Sequence, residues 1–410
     1  MEELGFEDDS FTGPLPKEWA KMSKLRKLFL HVNKLTGTLS SNFGNAWPAM
    51  EDLFLSFNRF AGPLPSEWAG LRRLRLLHLA TNKLTGTLSP SFGAAWPAME
   101  ELHLHSNGLT GPLRKEWAKM GKLRRLRLDG NKLTGTLSPD FGAAWPAMEE
   151  LHLDSNGLTG PLPKEWAKMG KLRNLRLDGN KLTGTQSPDF GAAWPAMEEL
   201  MLYKNGFTGP LPEEWAKLSN LKKLYIHANK LTGTLSPGFG AAWPDMEELN
   251  LGTNGFTGPL PREWAKMDKL KKLHMNKNTL TGTLSPDFGT SWPAMEELRL
   301  YENGFTGALP QHTNKLSGTL SPDFGASWPA METLLLHENG FTGPLPEEWA
   351  RMGRLKNLYL RVNKLTGTLS PSFGAAWPAM ENLNLRTNGF TGPLPKEWAK
   401  MSKLRLLVLE

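Results

Sequence analysis

The stretch MEELHLDSNGLTGPLPKEWAKMGK (Met148–Lys171) runs directly into LRNLRLDGNKLTGTQSPDFGAAWPA (Leu172–Ala196), and the two share one pattern. Each half has apolar residues at positions 1, 4, 6 and 11 and asparagine at position 9. Position 15 is usually leucine as well; Gln186 departs from it. Apolar residues at 4 and 6 with polar residues between them describe a short strand that turns two side chains inward. A single coil of this kind cannot bury its own apolar face, so copies must stack, with strands about 4.8 Å apart. The position-9 asparagine is expected to turn inward at the corner, where its amide satisfies backbone groups of its own turn and of the next coil.

The pattern extends over the whole chain. A methionine followed by an acidic residue recurs at Met1, Met50, Met99, Met148, Met197, Met246 and Met295, always 49 residues apart. Met331 follows after 36 residues and Met380 after 49. Each full unit is a 24-residue half and a 25-residue half, giving seventeen strand starts. The motif L-x-x-L-x-L-x-x-N-x-L resembles the leucine-rich repeat, and the following L-T-G-x-L-P or L-T-G-T-L-S resembles its plant-specific class. The fold expected is an α/β-type solenoid, a horseshoe or superhelix with a concave parallel sheet, a short second strand per coil and a convex side mostly of loop or 3₁₀ turn. Residues 1–410 then form a single repeat domain. The combination L-P-x-x-W-x-x-M beside L-T-G-T-L is similar to repeats of trypanosomatid surface antigens and membrane-bound proteophosphoglycans, and departs from them in the S-P-D-F-G-A-A-W-P half. That resemblance implies an extracellular, cell-surface, membrane-associated role in adhesion.

The periodic tryptophans, such as Trp117, Trp145 and Trp166, recur at fixed places in every coil and read as core. The unit 295–330 lacks 13 residues, and its Gly307–Gly318 segment is expected to bulge as an extra loop. Neither end shows a capping segment, signal peptide or anchor, which suggests a fragment.

Composition narrows the function. The chain has 410 residues, 41 glycines, 31 prolines, 16 tryptophans, 4 tyrosines and no cysteine. Absent cysteine excludes disulfides, thiolate metal sites and cysteine nucleophiles. No apolar run approaches the length of a membrane helix, so no direct membrane insertion is expected. The net charge of +7 is spread through the repeat: strand positions 2 and 3 are acidic in first halves (Glu100 and Glu101, Glu149 and Glu150) and basic in second halves (Arg124 and Arg125, Lys271 and Lys272). Alternation should pair these charges and leave no basic stripe for nucleic acid. In the short unit two first-half strands should become neighbours, with Thr333 in place of an acidic residue relieving the repulsion. No phosphate-binding, zinc-protease, serine-hydrolase or dinucleotide motif is present, so neither catalysis nor a cofactor is expected.

Variation is left at strand positions 5, 7 and 8. Positions 5 and 7 have the parity that faces away from the core. Eight of the nine histidines (His31, His78, His103, His105, His152, His227, His274 and His337) and all four tyrosines stand there. Drift at exposed positions does not obviously collect Tyr and His, whereas interfaces favour aromatics and Arg. Two patches are expected. The first sets His103, Arg127, His152 and Arg176 at position 5 beside His105, Asp129, Asp154 and Asp178 at position 7, a polar dock or a self-neutralising surface. Rung spacing argues against a metal held by His105, Asp129 and Asp154. The second patch is Met201, Tyr203, Tyr225, His227, His274, Arg299 and Tyr301, with Tyr359 further along. The function expected is recognition of a protein or glycan through the concave face. The alternatives are a spacer or coat module without a ligand and, from the repeated T-G-T segments, ice binding.

Overall fold

A computed structural model of the chain describes every residue except 286, 287, 289, 290, 306–316, 321, 323, 324, 326, 339 and 410. It divides into two compact units, Met1–Phe207 and Thr208–Glu410. In one sheet of the first unit stand nine strands of three residues, from Glu3–Gly5 through Glu101–His103, Arg125–Arg127, Glu150–His152 and Asn174–Arg176 to Glu199–Met201. Within the unit successive strands of this sheet pair in parallel, and the register is kept: Leu102, Leu126, Leu151, Leu175 and Leu200 stand opposite one another. The second unit repeats the arrangement with eight strands, from Lys223–Tyr225 to Leu406–Val408. The expected short second strands are present too, such as Gly108–Pro112 and Lys132–Thr136, which pair in parallel in the first unit.

Both inward strand positions are sealed: Leu102, Leu104, Leu126 and Leu128 have no exposed surface. Burial of one such leucine contributes roughly 1.5–3 kcal/mol. The corner asparagines bridge coils as their position suggests. In Asn107, Nδ2 donates to Leu79 O (3.0 Å) and Leu104 O (3.1 Å), and Oδ1 accepts from Leu84 N (2.9 Å). Asn131, Asn156 and Asn180 repeat these bonds one coil at a time.

The outer side differs between halves. First halves turn through a 3₁₀ segment such as Lys115–Lys119, as expected; second halves form one turn of α-helix, as in Asp140–Ala144. The small, proline-free F-G-A-A run permits this α turn within an outer side that is otherwise mostly loop and 3₁₀ turn, as expected. Trp117, Trp145 and Trp166 are fully buried. These three indoles also serve the backbone: Trp117 Nε1 donates to Ser89 O (3.0 Å), Trp145 Nε1 to Trp117 O (3.2 Å) and Trp166 Nε1 to Ser138 O (2.9 Å). In second halves the ring stacks on the phenylalanine four residues earlier, Phe141 on Trp145 at 4.2 Å and 4°.

The alternating charges pair across rungs: Arg125 Nη1 lies 2.6 Å from Glu101 Oε1 and its Nε 3.3 Å from Glu150, while Arg124 reaches Glu149 at 2.9 Å. In the short unit Glu297 stands opposite Thr333, so two first-half strands are neighbours. Of the extra loop expected there, residues 307–316 lie outside those described, and Ser317–Thr319 form a short strand that pairs in parallel with Gly340–Gly343.

Two positions test this packing. A Cβ on Gly142 would lie 1.9 Å from Glu165 O in the next coil, a contact with rigid backbone. Gly142→Ala is expected to destabilise its unit by about 3 kcal/mol or more, measured by chemical denaturation. Gln186 is 6 % exposed and neither its Oε1 nor its Nε2 finds a partner. Gln186→Leu, which restores the repeat, is expected to stabilise by about 1–3 kcal/mol in the same measurement.

Candidate ligand-binding face

Position 8, one of the three variable strand positions, is governed by the backbone. Ser106 and Ser155 adopt φ of 54°, and Gly130 and Gly179 take 62° at the same place. The chain turns through the left-handed region here, and its choice of residue answers a local turn. The face itself is therefore positions 5 and 7.

In the first unit the register brings His78 opposite His103, His103 opposite Arg127, Arg127 opposite His152, and His152 opposite Arg176, which meets Met201. The expected position-5 column is thus continuous. Its members are not equally available: His152 and Met201 are 7 % exposed, covered by their neighbours, and Asp178 is 6 % exposed. These three support the face from within, while His103, His105, Arg127, Asp129, Asp154, Arg176 and Tyr203 remain partly open to solvent.

The aspartate row is neutralised unevenly. Arg127 Nε lies 3.3 Å from Asp129 Oδ1, but Arg176 turns the other way and binds Glu199 at 3.1 Å. Asp154 is left between two like charges: burial, then Asp178 and Asp129, push its carboxyl up to about 6. Burial also raises Asp178, against a hydrogen bond from Tyr203 that lowers it; burial and the same bond push the Tyr203 hydroxyl up to about 12. The histidines give little counter-charge. Burial and the nearby positive groups push His103 down to about 3 and His152 down to about 4, so both are neutral near pH 7. Arg127 thus supplies counter-charge to the aspartate row, and these histidines supply little.

In the second unit His274 stands opposite Arg299. Both approach Glu297: His274 Nε2 at 3.3 Å, Arg299 through an ion pair. Burial would raise the Glu297 carboxyl, but its contacts with His274 and with the Arg299 guanidinium outweigh it and hold it at about 2. Tyr225 donates its hydroxyl to Glu248 and packs 6.1 Å from His227. Tyr301 and Tyr359 are brought together through His337, 5.2 Å and 6.4 Å from their rings. The expected tyrosine patch is therefore shared out: Met201 and Tyr203 belong to the first unit, and Tyr225, His227, His274, Arg299, Tyr301 and Tyr359 to the second.

Two histidines left out of the candidate set join it in the structure. His337 links two tyrosines, and His78 stacks on His103 at 4.1 Å and 14°. The signal for His78 was available, since it repeats the position-5 histidine one coil before His103. No long, apolar helix able to cross a membrane occurs among the described residues.

Comparison with known proteins agrees with the fold. Family models for leucine rich repeats match residues 122–182 and 220–242. No curated protein matches the chain. Among solved structures it is similar to a plant peptide hormone receptor, RGFR1, solved in complex with RGF2, at 26 % identity and TM-score 0.89, covering 98 % of this chain and 66 % of the receptor chain. It is also similar to the LRR ectodomain of the Arabidopsis thaliana membrane receptor kinase GASSHO1/SCHENGEN3 in complex with Casparian strip integrity factor 2, at 28 % identity and TM-score 0.76, covering 99 % and 55 %. An LRR protein of Leptospira interrogans matches at 27 % identity and TM-score 0.72, covering 98 % of this chain and 94 % of that one. The chain thus spans less than two thirds of either plant receptor chain. Its fold is that of the leucine-rich-repeat solenoid.

The raised Asp154 carboxyl has a sign that can be tested. An acid whose folded value lies above its unfolded one, about 3.9, favours folding at low pH, and that contribution is lost as pH rises to about 6. Asp154→Asn is expected to stabilise the protein at pH 7.5 by about 1 kcal/mol, allowing for its partial exposure to solvent. The difference should shrink as pH falls and vanish at about pH 3, below the unfolded value, as urea denaturation at the two pH values would show.

Proposed function

We propose that the chain is a non-catalytic recognition scaffold whose sheet face binds a protein or peptide ligand outside the cell. The observation that carries this reading is the composition of the face. Tyr, His and Arg side chains gather at positions 5 and 7, while the positions around them are occupied by core, corner and rung-pairing residues. Tyr203, Tyr301, Tyr359 and Arg299 keep partial exposure over rigid strands, the setting in which aromatic and arginine anchors contribute most to an interface. The two plant receptors, solved in complex with RGF2 and with Casparian strip integrity factor 2, support a proteinaceous ligand. Their being receptor and ectodomain structures, together with the resemblance to surface-antigen repeats, supports an extracellular setting. A glycan ligand has no comparable support.

The test is binding of the whole chain to an array of secreted proteins and peptides, read by biolayer interferometry. Tyr203→Ala, Arg299→Ala and Tyr301→Ala are expected to weaken the interaction at least about tenfold in one or more cases, with circular dichroism unchanged. A well-folded chain that binds nothing on the array, or whose binding ignores all three substitutions, supports a spacer module in its place.

A further inference from the structure

One cluster on the first unit has chemistry that recognition of a protein leaves unused. His78 and His103 are directly opposed on adjacent rungs, and Glu101 stands two residues before His103, so the three side chains share one face. One donor atom from each lies within 4.8 Å of the other two. His78 Nε2 is 3.4 Å from Glu101 Oε2. Arg125 holds the other carboxylate oxygen, Oε1, at 2.6 Å and so leaves Oε2 turned towards the imidazoles. His103 Nε2 is shielded from water and has no hydrogen-bond partner. His78 Nε2 is likewise buried without a hydrogen-bond partner, so a stacked histidine pair beside one carboxylate leaves a desolvated, unanswered nitrogen on each ring.

We propose that His78, Glu101 and His103 bind a divalent transition-metal ion such as zinc. Two imidazole nitrogens and one carboxylate oxygen are a donor set suited to zinc, cobalt, nickel or copper and unsuited to calcium or magnesium, which take oxygen shells. Zinc takes donors at about 2.0–2.2 Å, so one imidazole must turn out of the stack for both rings to aim a nitrogen at the same ion. The spacing objection that applies to His105, Asp129 and Asp154 does not apply here, because Glu101 supplies a second donor from the same strand as His103. Arg125 then has the part of an outer-sphere group that orients the ligating carboxylate. The open side of the sheet leaves a fourth position to water. The proposal is independent of whether a protein ligand is found.

The experiment uses the full chain, without a histidine tag and freed of metal by a chelator that is then removed. Zinc is titrated at pH 7.5 by isothermal calorimetry, and melting temperature is followed with and without the ion. The expected result is one zinc per chain and a zinc-dependent rise in melting temperature. Affinity should fall at least about tenfold in His103→Ala and in Glu101→Gln, and the melting shift should go with it. His105→Ala and His152→Ala should bind as the parent does. Circular dichroism of each variant in chelator reports that the fold is kept. Absence of zinc binding, or binding that His103→Ala and Glu101→Gln leave intact, overturns the proposal.

Discussion

The corner asparagine amide is the interaction on which the rest of the structure depends. Asn131 Nδ2 bonds Leu128 O in its own coil and Leu104 O in the coil before, while its Oδ1 accepts from Leu109 N. A side chain shorter or longer by one methylene would miss one of these groups, and a buried backbone carbonyl or amide would go unsatisfied. Because the same amide recurs in successive coils, it locks each strand to the next in one register. That register is what places Leu126 over Leu102 and the indole of Trp145 against Trp117 O.

Register then decides the electrostatics. Acidic and basic strand starts meet only because first and second halves alternate; Arg125 sits between Glu101 and Glu150 and bonds both. Where a half is missing the same rule shows in reverse. Glu297 finds Thr333 across the ladder, and its charge is held by His274 and by Arg299. Such exposed pairs contribute little each, about 0–1 kcal/mol, but a one-coil slip would set like charges face to face along a whole unit.

The outward face inherits its properties from this frame. Position-5 residues pack at the width of one rung, so long side chains such as Arg127 and Arg176 cover the His152 between them. Desolvation follows from that packing and keeps His103 and His152 neutral. The same closeness leaves Asp154 sharing its charge with Asp129 and Asp178. A surface that a sequence presents as a row of polar letters is in three dimensions a mixture of open anchors, covered supports and ion pairs already made.

Everything that repeats could be read from the residue pattern alone. A period of 24 and 25 residues with leucines at fixed places and one asparagine leaves a stacked parallel solenoid as the packing that buries the apolar face. Core tryptophans, corner ladder and charge alternation were all legible in it, because each is the same local rule applied many times. The tertiary structure alone decided the particulars that depend on which neighbour a side chain turns towards. Arg176 could have met Asp178 and chose Glu199; Glu101 could have spent both oxygens on arginine and instead left one to His78. The α turn at Asp140–Ala144 and the clash that forbids a Cβ at Gly142 likewise arise only when the next coil is in place. Repetition carries the backbone, since every coil faces the same problem; side-chain partnership is settled only by geometry between coils, where choices of nearly equal energy are separated by a few tenths of an ångström.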